Sequence, residues 1–202
     1  NEKVTIEEDI YANYGLAFSA TFLRTKEIVI DLNSTFTQPL YPTLNVAKDT
    51  LIKINLSADN ANTPIKIVSG TWDTTITVGT NWTGFINYPS YDTIMTIYGD
   101  VKEFDCSNND SNIIGLDASH NTSLTYLYCD DNSLTSLNVS GCTSLEELFC
   151  GYNNLTTLNI SSCTALKYLS CDINSLSILD VSGCTSLEEL HCYNNNLTTL
   201  DV

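Results

Sequence analysis

The chain has 202 residues, enough for one large or two small domains with a real core, and 43% hydrophobic with 16% charged residues excludes wholesale disorder. Eight Lys and Arg against 24 Asp and Glu give a net charge of −16, which argues against nucleic acid or an anionic membrane as a partner. No apolar run reaches the roughly 18 residues of a transmembrane helix, and a start at Asn1 with no signal-like apolar segment reads as a mature or trimmed product.

Residues 1–98 have the pattern of a small antiparallel β-domain. Tyr11–Leu23 fits a short helix or a strand equally well. Ile28–Leu32, Thr50–Leu56, Pro64–Ser69, Thr74–Val78 and Ile94–Tyr98 are β-branched runs broken by Asn, Asp, Pro, Gly and Ser clusters, the punctuation of short strands. Trp72, Trp82, Tyr88 and Tyr91 are aromatic side chains on which a sugar could stack, should this part bind glycans. The segment Thr96–Val101 then enters the second half with no flexible linker.

Residues 99–202 follow different rules. All eight cysteines lie between Cys106 and Cys192, and residues 101–202 carry 2 basic and 13 acidic side chains, against 6 and 11 in residues 1–100. In register it reads LTYLYCDDNSLTSLNVSGCTS from Leu124, LEELFCGYNNLTTLNISSCTA from Leu145, LKYLSCDINSLSILDVSGCTS from Leu166 and LEELHCYNNNLTTLDV from Leu187, a period of 21 residues. Leu127, Leu148, Leu169 and Leu190 share one column, Asn132, Asn153, Asn174 and Asn195 a second, Leu137, Leu158, Leu179 and Leu200 a third. Such a period marks a solenoid. A degenerate first unit begins near Phe104, with Cys106 and Cys129 spaced 23 rather than 21, a two-residue insertion.

The template L-x-x-L-x-C-x-x-N-x-L is a leucine-rich repeat with cysteine in place of the third leucine. It resembles the internalin-like group of bacterial surface proteins, in the variety whose 21-residue units carry a cysteine ladder. The resemblance implies a solenoid of about five coils, with units starting near residues 104, 124, 145, 166 and 187, and a location outside the bacterial cell. The expected fold is mainly β: residues 1–98 form a β-rich cap, for which an Ig-like domain would serve, and residues 99–202 form the repeats.

Around each L-x-C the inward and outward positions alternate, so the segment is a parallel strand stacked about 4.8 Å from the next. The Asn column sits where the chain leaves the strand and can bond the backbone of neighbouring coils. The cysteines fall in two columns, Cys129, Cys150, Cys171 and Cys192 in the strand and Cys142, Cys163 and Cys184 on the return path, where Asn121 holds the equivalent place one coil earlier. Disulfides between stacked neighbours have poor geometry, because in-register strands hold Cβ atoms about 4.8 Å apart along parallel vectors and a bridge wants about 3.5–4.5 Å. A metal needs ligands converging on one point, which a straight column does not give. The column instead suits a small buried hydrophobe where leucine is too wide.

No catalytic signature stands out. His191 adjoins Cys192, but consecutive strand residues face opposite sides, and His120 reads as a solvated loop residue. Carboxylate pairs such as Glu146–Glu147 recur with the repeat, as a solvated face would. The chain is therefore read as non-enzymatic, with no cofactor and no metal.

The outward strand positions bring Tyr126, Tyr128, Asp130, Glu147, Phe149, Tyr168, Asp172, Glu189, His191 and Tyr193 onto one face, together with Glu103 and Asp105. Aromatic anchors in an acidic surround fit a basic or neutral polar protein partner, and the resemblance implies adhesion or another protein–protein interaction through this face. A glycan-binding or nutrient-capture role for the N-terminal tryptophans is the alternative. Val202 falls partway through a coil, so the natural chain is expected to continue or to associate end to end there.

Overall fold

The computed structural model describes residues 41–119 and 121–202; Tyr11–Leu23, Ile28–Leu32 and His120 lie outside them. Among the described residues the chain forms fifteen strands and no helix, and Leu40–Val202 is one compact unit.

Six strands precede the repeats: β1 (Thr43–Val46), β2 (Thr50–Ala58), β3 (Thr63–Ser69), β4 (Trp72–Val78), β5 (Ile86–Ser90) and β6 (Ile94–Tyr98). The expected runs in this stretch all lie in strands, β2, β3, β4 and β6. Two strands were not expected. β1 is four residues squeezed between Pro42 and the Lys48–Asp49 turn, too short for a periodic signal. β5 contains Pro89, which argues against a strand except at an edge, and β5 is an edge strand.

Each coil of the repeats then adds one strand to a parallel sheet: β7 (Val101–Asp105), β9 (Tyr126–Tyr128), β11 (Glu147–Phe149), β12 (Tyr168–Ser170) and β14 (Glu189–His191). The return paths carry β8 (Ile113–Asp117), β10 (Ser136–Asn138), β13 (Ile178–Asp180) and β15 (Thr199–Asp201). Leu127, Leu148 and Leu169 occupy matching positions in register and are buried, as their column requires. Leu134, Leu155 and Leu176 meet them from the return side.

The antiparallel strands do not form a separate layer. β2 pairs antiparallel with β7, Leu56 opposite Phe104, and β1 pairs antiparallel with β8, Leu44 opposite Leu116. One sheet therefore runs β5-β2-β7-β9-β11-β12-β14 and a second β4-β3-β6-β1-β8-β10, while β13 and β15 pair with each other further along the return side. Both walls of the first coil continue into strands of the preceding half, and the buried side chains between the two sheets form one core from Leu44 to Cys184.

The asparagine column closes the polar accounts of this core. Asn153 Nδ2 donates to the carbonyls of Cys129 (3.0 Å), Cys150 (3.2 Å) and Gly151 (3.0 Å), and its Oδ1 accepts from the Leu134 N–H at 2.8 Å. Asn174 and Asn195 repeat the pattern one and two coils on. A further rung precedes the four expected ones: Asn109 accepts from the Lys53 N–H (2.7 Å) and donates to the carbonyls of Lys53 and Cys106 (both 2.9 Å), tying the first coil to β2. The insertion in that coil, Asp110–Ser111, takes left-handed backbone angles, φ 48° and 65°. It displaces the N–H that Asn132 Oδ1 would otherwise meet, and that atom has no partner among the described residues.

All eight cysteines are free thiols, seven buried and Cys192 half-buried. The return-side thiols lie against carbonyls of the preceding coil, Cys142 Sγ 3.0 Å from Ala118 O and Cys184 Sγ 3.5 Å from Ile160 O. Burial pushes Cys163 up to about 11 and Cys142 and Cys171 up to about 12, and holds Cys129 and Cys150 well above the ordinary value of 9.0.

Two predictions follow from these columns. Asn153→Ala leaves buried carbonyls and an N–H without partners, and urea unfolding is expected to show a loss of about 1–3 kcal/mol. The raised thiols lose protons only when unfolded, so stability is unchanged below the unfolded value near 9 and falls as pH rises from there toward 11–12. The expected slope is on the order of 1 kcal/mol per thiol per pH unit. Urea midpoints from pH 8 to 10 should fall steeply for the natural chain and less steeply for Cys163→Ala; equal slopes would show that thiol ionisation is not the cause.

Candidate functional site

The parallel ladder turns three outward positions per coil into three rows. Pairing fixes the first as Glu103–Tyr126–Glu147–Tyr168–Glu189 and the second as Asp105–Tyr128–Phe149–Ser170–His191. The third, just past the strands, holds Asp130, Gly151, Asp172 and Tyr193. The structure thus brings the ten sequence-derived candidates onto one sheet face. Tyr126, Tyr128, Asp130, Glu147, Phe149, Tyr168 and His191 are half-buried and Glu189 is exposed. The two ends of the range are Asp172, at 4% exposure, and Tyr193, at 55%.

The rings contact one another within β9 and from coil to coil, because a strand spacing of about 4.8 Å falls in the range of about 4.5–7 Å between centroids of paired rings. Tyr126 and Tyr128 lie 6.5 Å apart between centroids, Tyr128 meets Phe149 edge-on at 4.9 Å, Phe149 stacks on Tyr168 at 4.7 Å, and Tyr168 stacks on His191 at 5.3 Å. Such pairs contribute roughly 0.5–1.5 kcal/mol each beyond burial, so part of the aromatic content is explained by the fold's own packing. The ring edges still face solvent.

Polar groups hold the rings and acids in place. Tyr128 Oη donates to Glu147 Oε2 at 2.9 Å, and His191 Nε2 lies 2.6 Å from Glu189 Oε1. Burial first, and then the bond to Glu147, pushes the Tyr128 phenol well above its ordinary value. Asp130 is also raised, chiefly by burial and then by Asp131, Asp105 and Asp172. Its neighbour in the row is Gly151, where a Cβ would stand 2.9 Å from Asp172 Oδ1. The absent side chain gives the Asp172 carboxylate its room. Cys192 packs toward the core while His191 joins the outward row, so the two do not meet as a catalytic pair.

Trp82 belongs to this site, which the sequence did not reveal. Its indole stacks on Tyr128 at 6.0 Å and 28° and extends the ring series beyond the repeats. Thr83 places it: Thr83 N–H donates to the Leu56 carbonyl at 2.9 Å, and Thr83 Oγ1 accepts from Leu56 N–H at 3.2 Å and donates to Asn55 Oδ1 at 3.2 Å. The other three proposed sugar platforms go elsewhere. Tyr88 is inside the core, 5% exposed, because it pairs with inward-facing Ile52. Trp72 packs against Tyr91 at 6.3 Å, with β4 at the edge of the other sheet. The four rings do not form one platform.

Among solved structures the chain is similar to the functional domain of InlJ from Listeria monocytogenes, which includes a cysteine ladder: 35% identity and a TM-score of 0.48, covering 56% of this chain and 25% of that one. The chain therefore matches about a quarter of that structure's length. No family model and no curated protein matches it.

The geometry around Trp82 makes a direct prediction. With Trp72→Phe, Trp82 is the sole tryptophan, and adding Thr83→Ala removes its anchor on β2. Trp82 emission should shift to longer wavelength and become more accessible to acrylamide, with global stability lower by only about 1 kcal/mol. Unchanged emission would mean that Thr83 does not set the indole's position.

Proposed function

We propose that this protein is a non-catalytic binding module of the bacterial surface or of secreted material, engaging a protein partner through the outward face of the repeat sheet. One observation carries the reading: an unbroken series of rings, Tyr126 to His191, kept at the surface by four successive coils and set among six carboxylates. Scattered exposed aromatics need no explanation, whereas a contiguous apolar series with a charged surround is how protein interfaces are built. Among the described residues no Lys or Arg pairs with these acids, and within the rows only His191 meets one of them, Glu189. Lys167 pairs with Glu146 and Lys102 with Asp59, both off the face. The face thus favours a partner with basic side chains, through faster encounter as well as contact. Placement at the bacterial surface is supported by the resemblance of the 21-residue units to the internalin-like group. The glycan alternative is weaker, because Tyr88 is buried, Trp82 joins the repeat face, and of its four rings only Trp72 and Tyr91 stay together.

The test is capture of surface proteins by the natural chain and by Tyr128→Ser/Phe149→Ser/Tyr168→Ser, with matched thermal melts to show that the variant folds. Loss of the anchors should weaken capture by about a hundredfold or more, and higher salt should weaken the natural complex through its on-rate. Equal capture by the folded variant would overturn the assignment of this face.

A further inference from the structure

The ring series continues past the repeats, and so does the sheet. β2 extends it beyond β7 and β5 beyond β2, and the pairings Ser57–Glu103 and Asn55–Asp105 keep their outward side chains level with Tyr126 and Tyr128. Further along β2, Lys53 stands opposite Asn87 and Leu51 opposite Pro89, and the Lys53 ammonium lies 4.5 Å over the Phe85 ring. Leu51 is 58% exposed, Phe85 50% and Trp82 36%. Closing the first coil needs only the inward side of these strands, Ile52, Ile54 and Leu56, all buried. That closure does not need Leu51, Phe85 or Trp82, and Trp82 carries the surface on from the rings of the coils by stacking on Tyr128.

We propose that the binding surface is the whole seven-stranded face, from Phe85 to His191, and that its occupant is a basic, proline-rich segment of a partner protein lying across the strands as a polyproline II helix. This rests on the reading that the face binds a protein, and it names the segment. Seven strands at about 4.8 Å span roughly 29 Å, the length of nine or ten residues of polyproline II. Grooves lined with aromatic side chains suit this helix, whose backbone carries no internal hydrogen bonds and is already extended. Charge supplies the register. Glu103, Glu147 and Glu189 stand on alternate coils, so they recur about every 9.6 Å, and polyproline II repeats every three residues, about 9.3 Å. A β-strand would repeat its side chains at about 6.7 Å and an α-helix at about 10.5 Å for a heptad. Charge also gives direction: the cation-poor, apolar end of the segment lies over Trp82 and Phe85, where Lys53 would repel a base, and its basic end lies over the coils.

The experiment uses the full chain with Trp72→Phe, so that Trp82 alone reports. Three synthetic peptides of equal length are titrated: a Pro-Pro-Arg repeat, a Pro-Pro-Ser repeat, and a Thr-Arg repeat diluted with Ser to the same charge. The Pro-Pro-Arg peptide should change Trp82 emission saturably, and each of the others should bind about tenfold more weakly or less. Leu51→Ser/Phe85→Ser, two exposed positions, should weaken the Pro-Pro-Arg peptide about fivefold or more. Equal binding by the Thr-Arg peptide would reduce the effect to net charge and overturn the polyproline assignment. Binding lost in Tyr128→Ser/Phe149→Ser/Tyr168→Ser yet unchanged in Leu51→Ser/Phe85→Ser would confine the surface to the repeats and overturn its extension. Absence of binding by any peptide, beside intact capture of a surface protein, would overturn this proposal and leave the reading of the repeat face standing.

Discussion

One inward-turned side-chain amide per coil, buried in Asn109, Asn132 and Asn153 and half-buried in Asn174 and Asn195, is the constraint on which the rest depends. Each time the chain leaves the parallel sheet, a cysteine carbonyl of the coil before and an N–H of its return path are left inside, away from water. A buried group without a partner costs about 1–3 kcal/mol, and a solenoid repeats the debt with every turn. Asparagine offers two donors and an acceptor on a short stem, so one residue serves both coils at once. Aspartate could not donate, and glutamine would carry the amide one carbon too far. The amide also sets the local backbone: the residue before it takes φ near +50° in every coil, whether it is Asn108, Asp131, Tyr152, Ile173 or Asn194. For β-branched Ile173 that angle costs roughly 1–2 kcal/mol. Its retention shows that the amide's bonds outweigh the strain.

Because the amide fixes the register of each coil on the last, it also fixes the outward face. Residues 21 apart stand in line, and rings placed in adjacent positions meet at 4.7–5.3 Å in three of the contacts that cross the coils. The face is as regular as the ladder beneath it, and its rings are mostly in contact with one another. The cysteines contribute through width alone, since a thiol fills the narrow space beside the amide and burial keeps it protonated.

The periodic features were legible in the sequence because they are local and repeat. The leucine, asparagine and cysteine columns, the five coils and the outward rows all fall in the structure where the 21-residue register puts them. Asn109 shows where that register fails. It sits three residues after Cys106, as its counterparts sit after their cysteines, but Asp110–Ser111 breaks the period and hides the match. Trp82 was illegible for a different reason. Its place depends on Thr83 bonding to Asn55 and Leu56, 28 and 27 residues away, and on β2 joining β7, neither of which leaves a mark near Trp82 in the sequence. β5 was masked by a proline that only its edge position permits.

The strands that close the solenoid and the strands that widen its face are the same strands. A parallel sheet ending at β7 would expose a row of unpaired N–H and C=O groups, an edge open to any other chain. β2 removes that edge by pairing antiparallel with β7, and β1 does the same for β8 on the return side. Pairing on one edge cannot be separated from alignment of the side chains above it. Once Leu56 lies opposite Phe104 inside, Asn55 must lie opposite Asp105 outside, and the residues flanking Asn55 along β2 are carried onto the face with it. The inward pattern of β2 follows from the need for a closed core. Its outward pattern, Leu51 and Lys53 beside Phe85 and Trp82, is free of that need, so closure of the core does not account for the exposed apolar groups there.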